Sequence, residues 1–178
     1  FIEKVQIARG LHTTTVGVDT DGDHVAGITF HPDGTKMFAV YNQSISNFFT
    51  HVSQYDLSTP FDISTKAFEG ETDNAGFFVS DVAFNSDGSS MFLVGYRDSI
   101  AEYNLGTPFD VRTASLVNEG HTIAGLGTQP KSFTFNDDGS RMFIAENATI
   151  RAYDLSITYD VSSAVSAETY ETTYGVIT

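Results

Sequence analysis

Three aspartates in the segment DTDGDH have the residue type and spacing that could bind a metal ion. Asp19, Asp21 and Asp23 alternate along the chain, with a glycine before the last of them. Closely spaced carboxylates on a turn supply the oxygen ligands that Ca²⁺ prefers. An EF-hand loop would need a glutamate at its twelfth position, where Phe30 stands. The segment therefore predicts a candidate calcium site outside the EF-hand pattern, and the alternative is a hydrated polar loop.

A second set of candidate residues is aromatic and centres on the segment NQSISNFFTHVS, residues 42–53. This connection is six residues longer than its counterpart, because Met37 to Tyr55 spans 18 positions and Met91 to Tyr103 spans 12. Neighbouring aromatic rings on a loop can anchor a protein partner or stack on a sugar ring. The alternative is that the rings fold back over the edge of their own sheet. The candidate binding residues are Tyr41, Phe48, Phe49 and His51.

Composition and spacing exclude several other kinds of site. The chain has no Cys, so a disulfide, a zinc–thiolate site and a cysteine nucleophile are all excluded. The five His residues lack metal-ligand spacing, and no G-x-S-x-G segment marks a serine nucleophile. With 23 acidic and 9 basic residues, the net charge of −14 disfavours nucleic acid and anionic lipid as partners. No stretch approaches the ~18 apolar residues of a membrane-spanning helix.

The elements that position these candidates are revealed by an internal repeat. One phrase occurs as FHPDGTKMF, FNSDGSSMF and FNDDGSRMF, beginning at Phe30, Phe84 and Phe135. A second phrase follows each first one, as YDLSTPFDIST, YNLGTPFDVRT and YDLSITYDVSS, beginning at Tyr55, Tyr103 and Tyr153. A catalytic residue rarely needs three equivalent copies. We therefore interpret the repeated residues as architecture and look for function among the unrepeated ones.

Each repeat predicts four short strands. In AGITF, SDVAF and KSFTF, apolar and polar residues alternate, which indicates a first strand with one buried face. Asp-Gly then predicts a tight turn, because glycine adopts positive φ at low cost. The apolar runs MFAVY, MFLVGY and MFIA predict a second strand that is covered on both faces. The tyrosine phrase supplies the third strand, and the less regular segment after it supplies the fourth.

The TPFD part of the tyrosine phrase predicts a turn that is pinned to its sheet. The pinning rings are expected to be Phe61, Phe109 and Tyr159. The aspartates that follow can accept hydrogen bonds from backbone N–H groups two residues on. Asp62, Asp110 and Asp160 precede Ser64, Thr113, and Ser162 or Ser163 at short range. The third copy has Thr158 in place of proline, which predicts a looser turn.

This pattern resembles β-propeller repeats of the PDG type, as in YVTN-like and TolB-like blades. The matching residues are Phe30, Pro32, Asp33, Gly34, Met37 and Phe38. The phrase LSTPFDIST resembles repeats of marine phage and environmental-bacterial propeller proteins, and together the resemblances cover about residues 25–165. They imply an all-β fold of propeller blades, each a four-stranded antiparallel repeat of about 50 residues.

The predicted domain organisation is a single β-propeller segment over residues 1–178. Repeat units are expected at about 25–75, 76–128 and 129–178, with residues 1–24 as the tail of a preceding unit. About three and a half blades fall short of the 4–8 blades of a closed propeller, so a partial propeller is predicted. We favour a segment of a longer chain. The alternatives are that blades from the same or another chain complete the ring, or that the stack stays open.

The function that these features favour is a non-catalytic structural or interaction module of a virion or of a bacterial extracellular or surface assembly. Its expected partners are proteins, and its expected location is extracellular or in a virion. Two alternatives stay open: a Ca²⁺-dependent propeller enzyme, either a lactonase-like hydrolase or a quinoprotein-like oxidoreductase, and a propeller that binds a glycan. No cofactor is expected apart from the candidate Ca²⁺.

Overall fold

The chain forms three four-stranded antiparallel sheets, and in each sheet the strands lie side by side in chain order. The computed structural model describes residues 24–43, 49–96, 99–123, 125–127 and 130–171. The first sheet contains β1 (His24–Phe30), β2 (Lys36–Gln43), β3 (Phe49–Leu57) and β4 (Lys66–Glu71). The second contains β5 (Val79–Phe84), β6 (Ser90–Gly95), β7 (Ser99–Leu105) and β8 (Ala114–Thr122). The third contains β9 (Ser132–Phe135), β10 (Arg141–Glu146), β11 (Thr149–Leu155) and β12 (Ala164–Glu171).

This architecture confirms the predicted all-β fold and fits part of a propeller. No α-helix occurs among the described residues, and a single 3-10 turn precedes the last strand of each sheet, at Ile63–Thr65, Val111–Thr113 and Val161–Ser163. The described residues also contain no helix that is long and apolar enough to cross a membrane. Of the predicted tail of a preceding unit, residues 1–23 lie outside the described residues. The boundaries of the repeat units stay predictions.

The repeated Asp-Gly pairs form the predicted turns. The first strand of each sheet ends at the phenylalanine that opens the repeat, and that phenylalanine pairs with a methionine at the start of the second strand. Between them, Gly34, Gly88 and Gly139 have φ values of 74°, 71° and 69°. This left-handed region of φ favours glycine. The backbone conformation therefore requires glycine at the third position of each PDG-like phrase.

The TPFD turns are pinned to the Asp-Gly turns of their own sheets. The N–H groups of Phe61, Phe109 and Tyr159 donate to the glycine carbonyls of these turns at 2.9, 3.0 and 2.9 Å. Each ring lies directly over the same glycine, where any Cβ atom would collide with it. The turn at Tyr159 has the same geometry without a preceding proline, with φ of 59° against 60° at Phe61. The looser turn that was predicted there does not occur.

An aspartate caps each 3-10 turn. The Asp62 carboxylate accepts a hydrogen bond from the Ser64 N–H at 3.0 Å, and the Asp160 carboxylate accepts from the Ser162 N–H at 2.9 Å. In the second sheet, the Asp110 carboxylate likewise accepts from the N–H two residues on, that of Arg112, at 3.1 Å. The Thr113 N–H donates instead to the Asp110 backbone carbonyl, at 3.0 Å.

The hydrophobic core lies between neighbouring sheets. Phe38 and Phe92, both on second strands, are fully buried, as the prediction of a strand covered on both faces required. The Phe38 ring lies 4.6 Å from the ring of Phe84 in the next sheet, and the Phe92 ring lies 5.0 Å from the ring of Phe135 in the sheet after that. The first and second sheets therefore each bury aromatic residues against the following sheet, which one unit alone cannot do.

Polar side chains also join adjacent sheets. The Asn42 amide donates to the Val79 carbonyl at 2.8 Å and accepts from the Val79 N–H at 3.2 Å. The Gln54 side-chain oxygen accepts from the Val111 N–H at 3.0 Å. The Asp81 carboxylate accepts from the Phe133 N–H at 3.0 Å. These bonds satisfy backbone groups that would otherwise be left unpaired between the sheets, and they fix how the sheets sit against each other.

Candidate functional site

The end of the β2–β3 hairpin brings three of the four predicted binding residues together. Tyr41 pairs directly with His51 across the two strands, and Phe49 lies two residues before His51 on the same face. The rings of Phe49 and His51 meet edge to face, with centroids 4.6 Å apart. Phe48 lies outside the described residues. The sequence segment that was longest among the repeats thus presents an aromatic cluster at one end of the first sheet.

The residues of this cluster differ in their solvent exposure. The side chain of His51 is buried, and its Nδ1–H donates to the Thr72 carbonyl at 2.8 Å. Tyr41 is half-buried, and Phe49 is 38% exposed. His51 therefore supports the cluster from beneath, while the Phe49 ring is the part that a ligand or partner can contact.

The segment that leaves the first sheet braces the hairpin. The Thr72 hydroxyl accepts from the Val52 N–H at 3.1 Å, and the Thr72 N–H donates to the Val52 carbonyl at 3.1 Å. The Asn74 side chain accepts from the Thr50 N–H at 2.9 Å. On the face of the sheet opposite Phe49, the Thr50 hydroxyl donates to the buried Asn42 side chain at 2.6 Å. Hydrogen bonds along the edge of β3 and on one face of the sheet therefore hold the backbone next to Phe49 in place.

Sequence reasoning did not identify this polar support. Asn42 and Thr50 lie in a segment whose composition is typical of a loop, so nothing in the sequence marked them as buried. The structure shows that the paired strands β2 and β3 extend into this segment. Eight residue pairs continue from Lys36↔Asp56 to Gln43↔Phe49, so most of the supposed loop is strand.

The predicted calcium ligands Asp19, Asp21 and Asp23 lie outside the described residues. Within the parts of the chain that the structure describes, no group of three His, Cys, Asp or Glu side chains could hold a metal ion. The calcium site stays a prediction of the sequence.

The repeated aspartates of the Asp-Gly turns are engaged in local structure. The carboxylates of Asp33, Asp87 and Asp138 accept from backbone N–H groups two residues on, at 2.8, 2.9 and 2.9 Å. The Thr35 hydroxyl and N–H lower the pKa of Asp33 to about 2, with a smaller contribution from His31. Hydroxyl and backbone donors likewise lower the pKa of Asp87 and Asp138. These carboxylates stay ionised at neutral pH and order the turns.

One titratable pair was missed at the sequence level. The His121 Nε2 atom lies 2.9 Å from a carboxylate oxygen of Glu102, and both side chains are mostly buried. The two residues sit on neighbouring strands β7 and β8, where irregular register near Glu102 shifts the pairing. Strand alternation alone could not place them together, because each shift changes which residues lie opposite each other.

Two cavities of the described surface lie between neighbouring sheets. One of about 430 Å³ follows the first strands of the three sheets and includes Asp81 and Thr134. The other, of about 420 Å³, lies between the segment after β4 and the outer strands of the second sheet, beside Asp73 and Glu119. Asp81 already accepts hydrogen bonds from Ser132 and Phe133, so its carboxylate ties two sheets together.

Comparison with known proteins identifies the fold. No protein family matches the sequence, and no curated protein matches it either. Among solved structures, a functionally unknown protein from Desulfotomaculum acetoxidans matches with a TM-score of 0.50 and 13% identity, covering 83% of this chain and 56% of that one. A candidate 6-phosphogluconolactonase from Bacteroides uniformis matches with a TM-score of 0.55 and 10% identity, covering 84% and 41%. Sqt1 from Saccharomyces cerevisiae matches with a TM-score of 0.52 and 11% identity, covering 86% and 36%.

The likeness at this level of identity is one of fold. The three sheets of this chain align with propeller-like structures, and the chain spans about half or less of the length of those proteins. The chain is therefore a propeller-like β module, and its function has to be argued from its own residues.

Proposed function

We propose that this chain is a non-catalytic interaction module of a virion or of a bacterial extracellular or surface assembly, and that it binds a protein partner through the hairpin end at Phe49. The repeated polar residues support a non-catalytic role, because their side chains are engaged in turns and caps. The resemblance of LSTPFDIST to phage and environmental-bacterial repeats supports the proposed location.

The observation that carries the proposal is the exposure of Phe49 on an otherwise buried strand. The six residues Thr50 to Tyr55 are all buried, whereas Phe49 is 38% exposed at the start of β3. Its ring rests against His51, which is itself fixed to the Thr72 carbonyl. An exposed aromatic residue on a rigid support loses little conformational freedom on binding, which is typical of an interface hot spot.

The charge of the chain indicates the kind of partner surface. With a net charge of −14, the chain repels acidic surfaces and attracts basic ones at long range. We therefore propose a partner with a basic rim around an apolar pocket that receives Phe49. Association should slow as salt is added, because screening weakens the long-range attraction.

Partner capture from the native assembly tests this proposal. The immobilised chain is exposed to virions or cell-surface extracts of its source, and bound proteins are identified by mass spectrometry. Phe49→Ala should lower capture of the partner by about tenfold or more, which corresponds to a hot spot of about 1.4 kcal/mol. Tyr170→Ala, which removes an exposed ring elsewhere, should leave capture unchanged and is the matched control.

Three outcomes would overturn the proposal. The first is capture that is equally strong with wild type and Phe49→Ala. The second is binding on a glycan array that Phe49→Ala abolishes, which would assign the site to a sugar. The third is recovery of the chain only in free form with hydrolysis of a lactone, the activity for which the Bacteroides neighbour is named.

A further inference from the structure

The cavity of about 420 Å³ between the first and second sheets has two walls. One wall is the segment 72–77, which leaves the first sheet. The other wall belongs to the outer strands β7 and β8 of the second sheet and consists of Ala101, Tyr103, Ala114, Leu116 and Glu119. Sites for small ligands and side chains have volumes of about 300–1,000 Å³, so this cavity has the size of a binding site.

The lining of the cavity combines an apolar and aromatic wall with two acidic side chains. Asp73 and Glu119 are exposed, and neither carboxylate forms an ion pair within the described parts of the chain. The Tyr103 side chain supplies an aromatic ring between them and the core. Such a lining suits a side chain with an apolar stem and a cationic head, because the stem packs on apolar atoms while carboxylates and the ring attract the cation.

The third sheet carries a cationic side chain at the equivalent position. Arg151 lies two residues before the tyrosine of its phrase, as Ala101 does in the second sheet. The Arg151 guanidinium donates to the Glu146 carboxylate at 3.3 Å and lies 3.5 Å from the Thr169 hydroxyl. Thr169 pairs with Arg151 across the outer strands and is the counterpart of Glu119 in the cavity wall. A guanidinium therefore lies where the second sheet has the wall of the cavity.

The segment that leaves the second sheet approaches this guanidinium pair. Gly127 lies so close to the Glu146 carboxylate that an added Cβ atom would collide with it. This segment is the counterpart of residues 72–77, because Gly76 and Gly125 have φ values of 76° and 79° and each precedes a buried apolar residue. Between the second and third sheets the chain thus supplies its own guanidinium, whereas the equivalent space between the first and second sheets is a cavity beside an alanine.

We propose that the cavity between the first and second sheets receives an arginine side chain of a protein partner. The guanidinium would lie beside the Tyr103 ring, with Asp73 and Glu119 as its counter-charges. Arginine fits better than lysine, because a planar guanidinium stacks on aromatic rings and is more weakly hydrated than an ammonium group.

The cavity adjoins the hairpin end at Phe49. Thr72 and Asn74 line the cavity, and the same two residues hold His51 and the backbone of Thr50. A partner that contacts Phe49 can therefore place an arginine of its basic rim in the cavity. The inference deepens the proposed function and rests on it for the partner, whereas the cavity itself can be tested with a small probe.

Titration with N-acetylarginine amide, followed by NMR of the isotope-labelled 178-residue chain, tests the cavity directly. We expect a dissociation constant of about 1–10 mM, with shifts of the amide signals of Gly76, Ala101 and Glu119. The citrulline counterpart has the same shape without the charge and should not bind, and the lysine counterpart should bind more weakly. Absence of these shifts at about 50 mM probe, or equal binding of either counterpart, would overturn the proposal.

Charge substitutions at exposed positions locate the site. Asp73→Asn combined with Glu119→Gln should weaken binding of the probe by about tenfold, because both counter-charges are lost. Glu171→Gln on β12 is the matched control, since it removes the same charge from an exposed residue of another outer strand. Unchanged affinity of the double variant, with circular dichroism showing that it is folded, would overturn the proposal.

Ala101→Arg provides a second, independent variant. It introduces the residue that the third sheet has at the same repeat position, so its guanidinium should occupy the cavity and abolish binding of the probe. A folded Ala101→Arg variant that binds the probe as wild type does would contradict the proposed location. The charge variants decide the matter if Ala101→Arg does not fold, because Ala101 is buried and they are not.

Capture of the partner separates this inference from the proposed function. The double variant at Asp73 and Glu119 should lower capture by about tenfold, as Phe49→Ala should. Unchanged capture by the double variant, together with lowered capture by Phe49→Ala, would overturn the role of the cavity and leave the proposed function intact. Binding of the probe together with capture that is independent of Phe49 would overturn the proposed function and support the cavity.

Discussion

At the scale of single residues, the third-strand tyrosines show how one substitution changes the environment of a repeated residue. The Ser53 hydroxyl is a hydrogen-bond partner of the Tyr55 phenol in the first sheet. Arg151 occupies the position of Ser53 in the third sheet, and the buried Tyr153 hydroxyl has no hydrogen-bond partner among the described residues. Burial accordingly raises the pKa of Tyr153. A buried hydroxyl without a partner loses its hydrogen bonds to water and gains no hydrogen bond to the protein, which lowers the stability of the fold.

Tyr153→Phe should therefore leave the free energy of unfolding unchanged or raise it, since it removes an unsatisfied polar group. Tyr55→Phe is the matched control and should lower the stability by about 1 kcal/mol, because it removes a hydrogen bond that is made. Urea denaturation of both variants provides the measurement. A loss at position 153 as large as the loss at position 55 would show that the Tyr153 hydroxyl is satisfied.

The turn aspartates predict a dependence of stability on acid. Asp33 has a folded pKa of about 2, below its ordinary value of 3.8. Because its folded pKa is depressed, its contribution is complete above about pH 4 and is lost as the pH falls towards about 2. The melting temperature of wild type should fall over this range, and Asp33→Asn should reduce the slope, since asparagine does not titrate. Parallel melting curves for the two proteins would contradict the assignment.

At the scale of elements, the Asp-Gly turn and the TPFD turn form one unit. Gly88 has a φ of 71°, and the Phe109 ring covers the position that a Cβ atom would occupy. Two independent requirements, backbone conformation and close packing, therefore demand glycine at the same residue.

Gly88→Ala should accordingly lower the free energy of unfolding by more than about 1 kcal/mol. Gly106→Ala is a matched control in the same sheet, because the nearest atom to its added Cβ is 3.5 Å away, an ordinary contact. Both variants can be compared by chemical denaturation. Equal stabilities would contradict the joint role of the glycine and the Phe109 ring.

At the scale of the whole molecule, stability depends on contacts between sheets. Phe92 is fully buried and contacts Phe133 and Phe135 of the following sheet. Phe92→Ala should destabilise the fold by about 3–5 kcal/mol, through lost apolar contact and the cavity left behind. Phe49→Ala removes a partly exposed ring and should cost less than about 1 kcal/mol. Thermal and urea denaturation measure both, and similar losses would show that the sheets do not depend on each other.

Much of the fold could be predicted from the sequence, because its signals are local. Alternation in SDVAF, an Asp-Gly pair and an apolar run are each sufficient to specify a strand or a turn, and their threefold repetition removes most ambiguity. The capping aspartates were also predictable, since the bond from Asp62 to Ser64 spans two residues. The predicted binding loop was recognised from its extra length, but its extension of β2 and β3 as paired strands was not.

What could not be predicted are the contacts between residues that are distant in sequence. Asn42 bonds to Val79 across 37 positions, and Gln54 bonds to Val111 across 57. The pair of Glu102 and His121 forms where the strand register is irregular. Local propensity specifies strands and turns one at a time, whereas these contacts arise when whole sheets pack and polar groups left between them must find partners. The chain's pattern of residues thus specified the repeating unit, and the packing of one unit on the next selected which unrepeated side chains are buried and left Phe49 exposed.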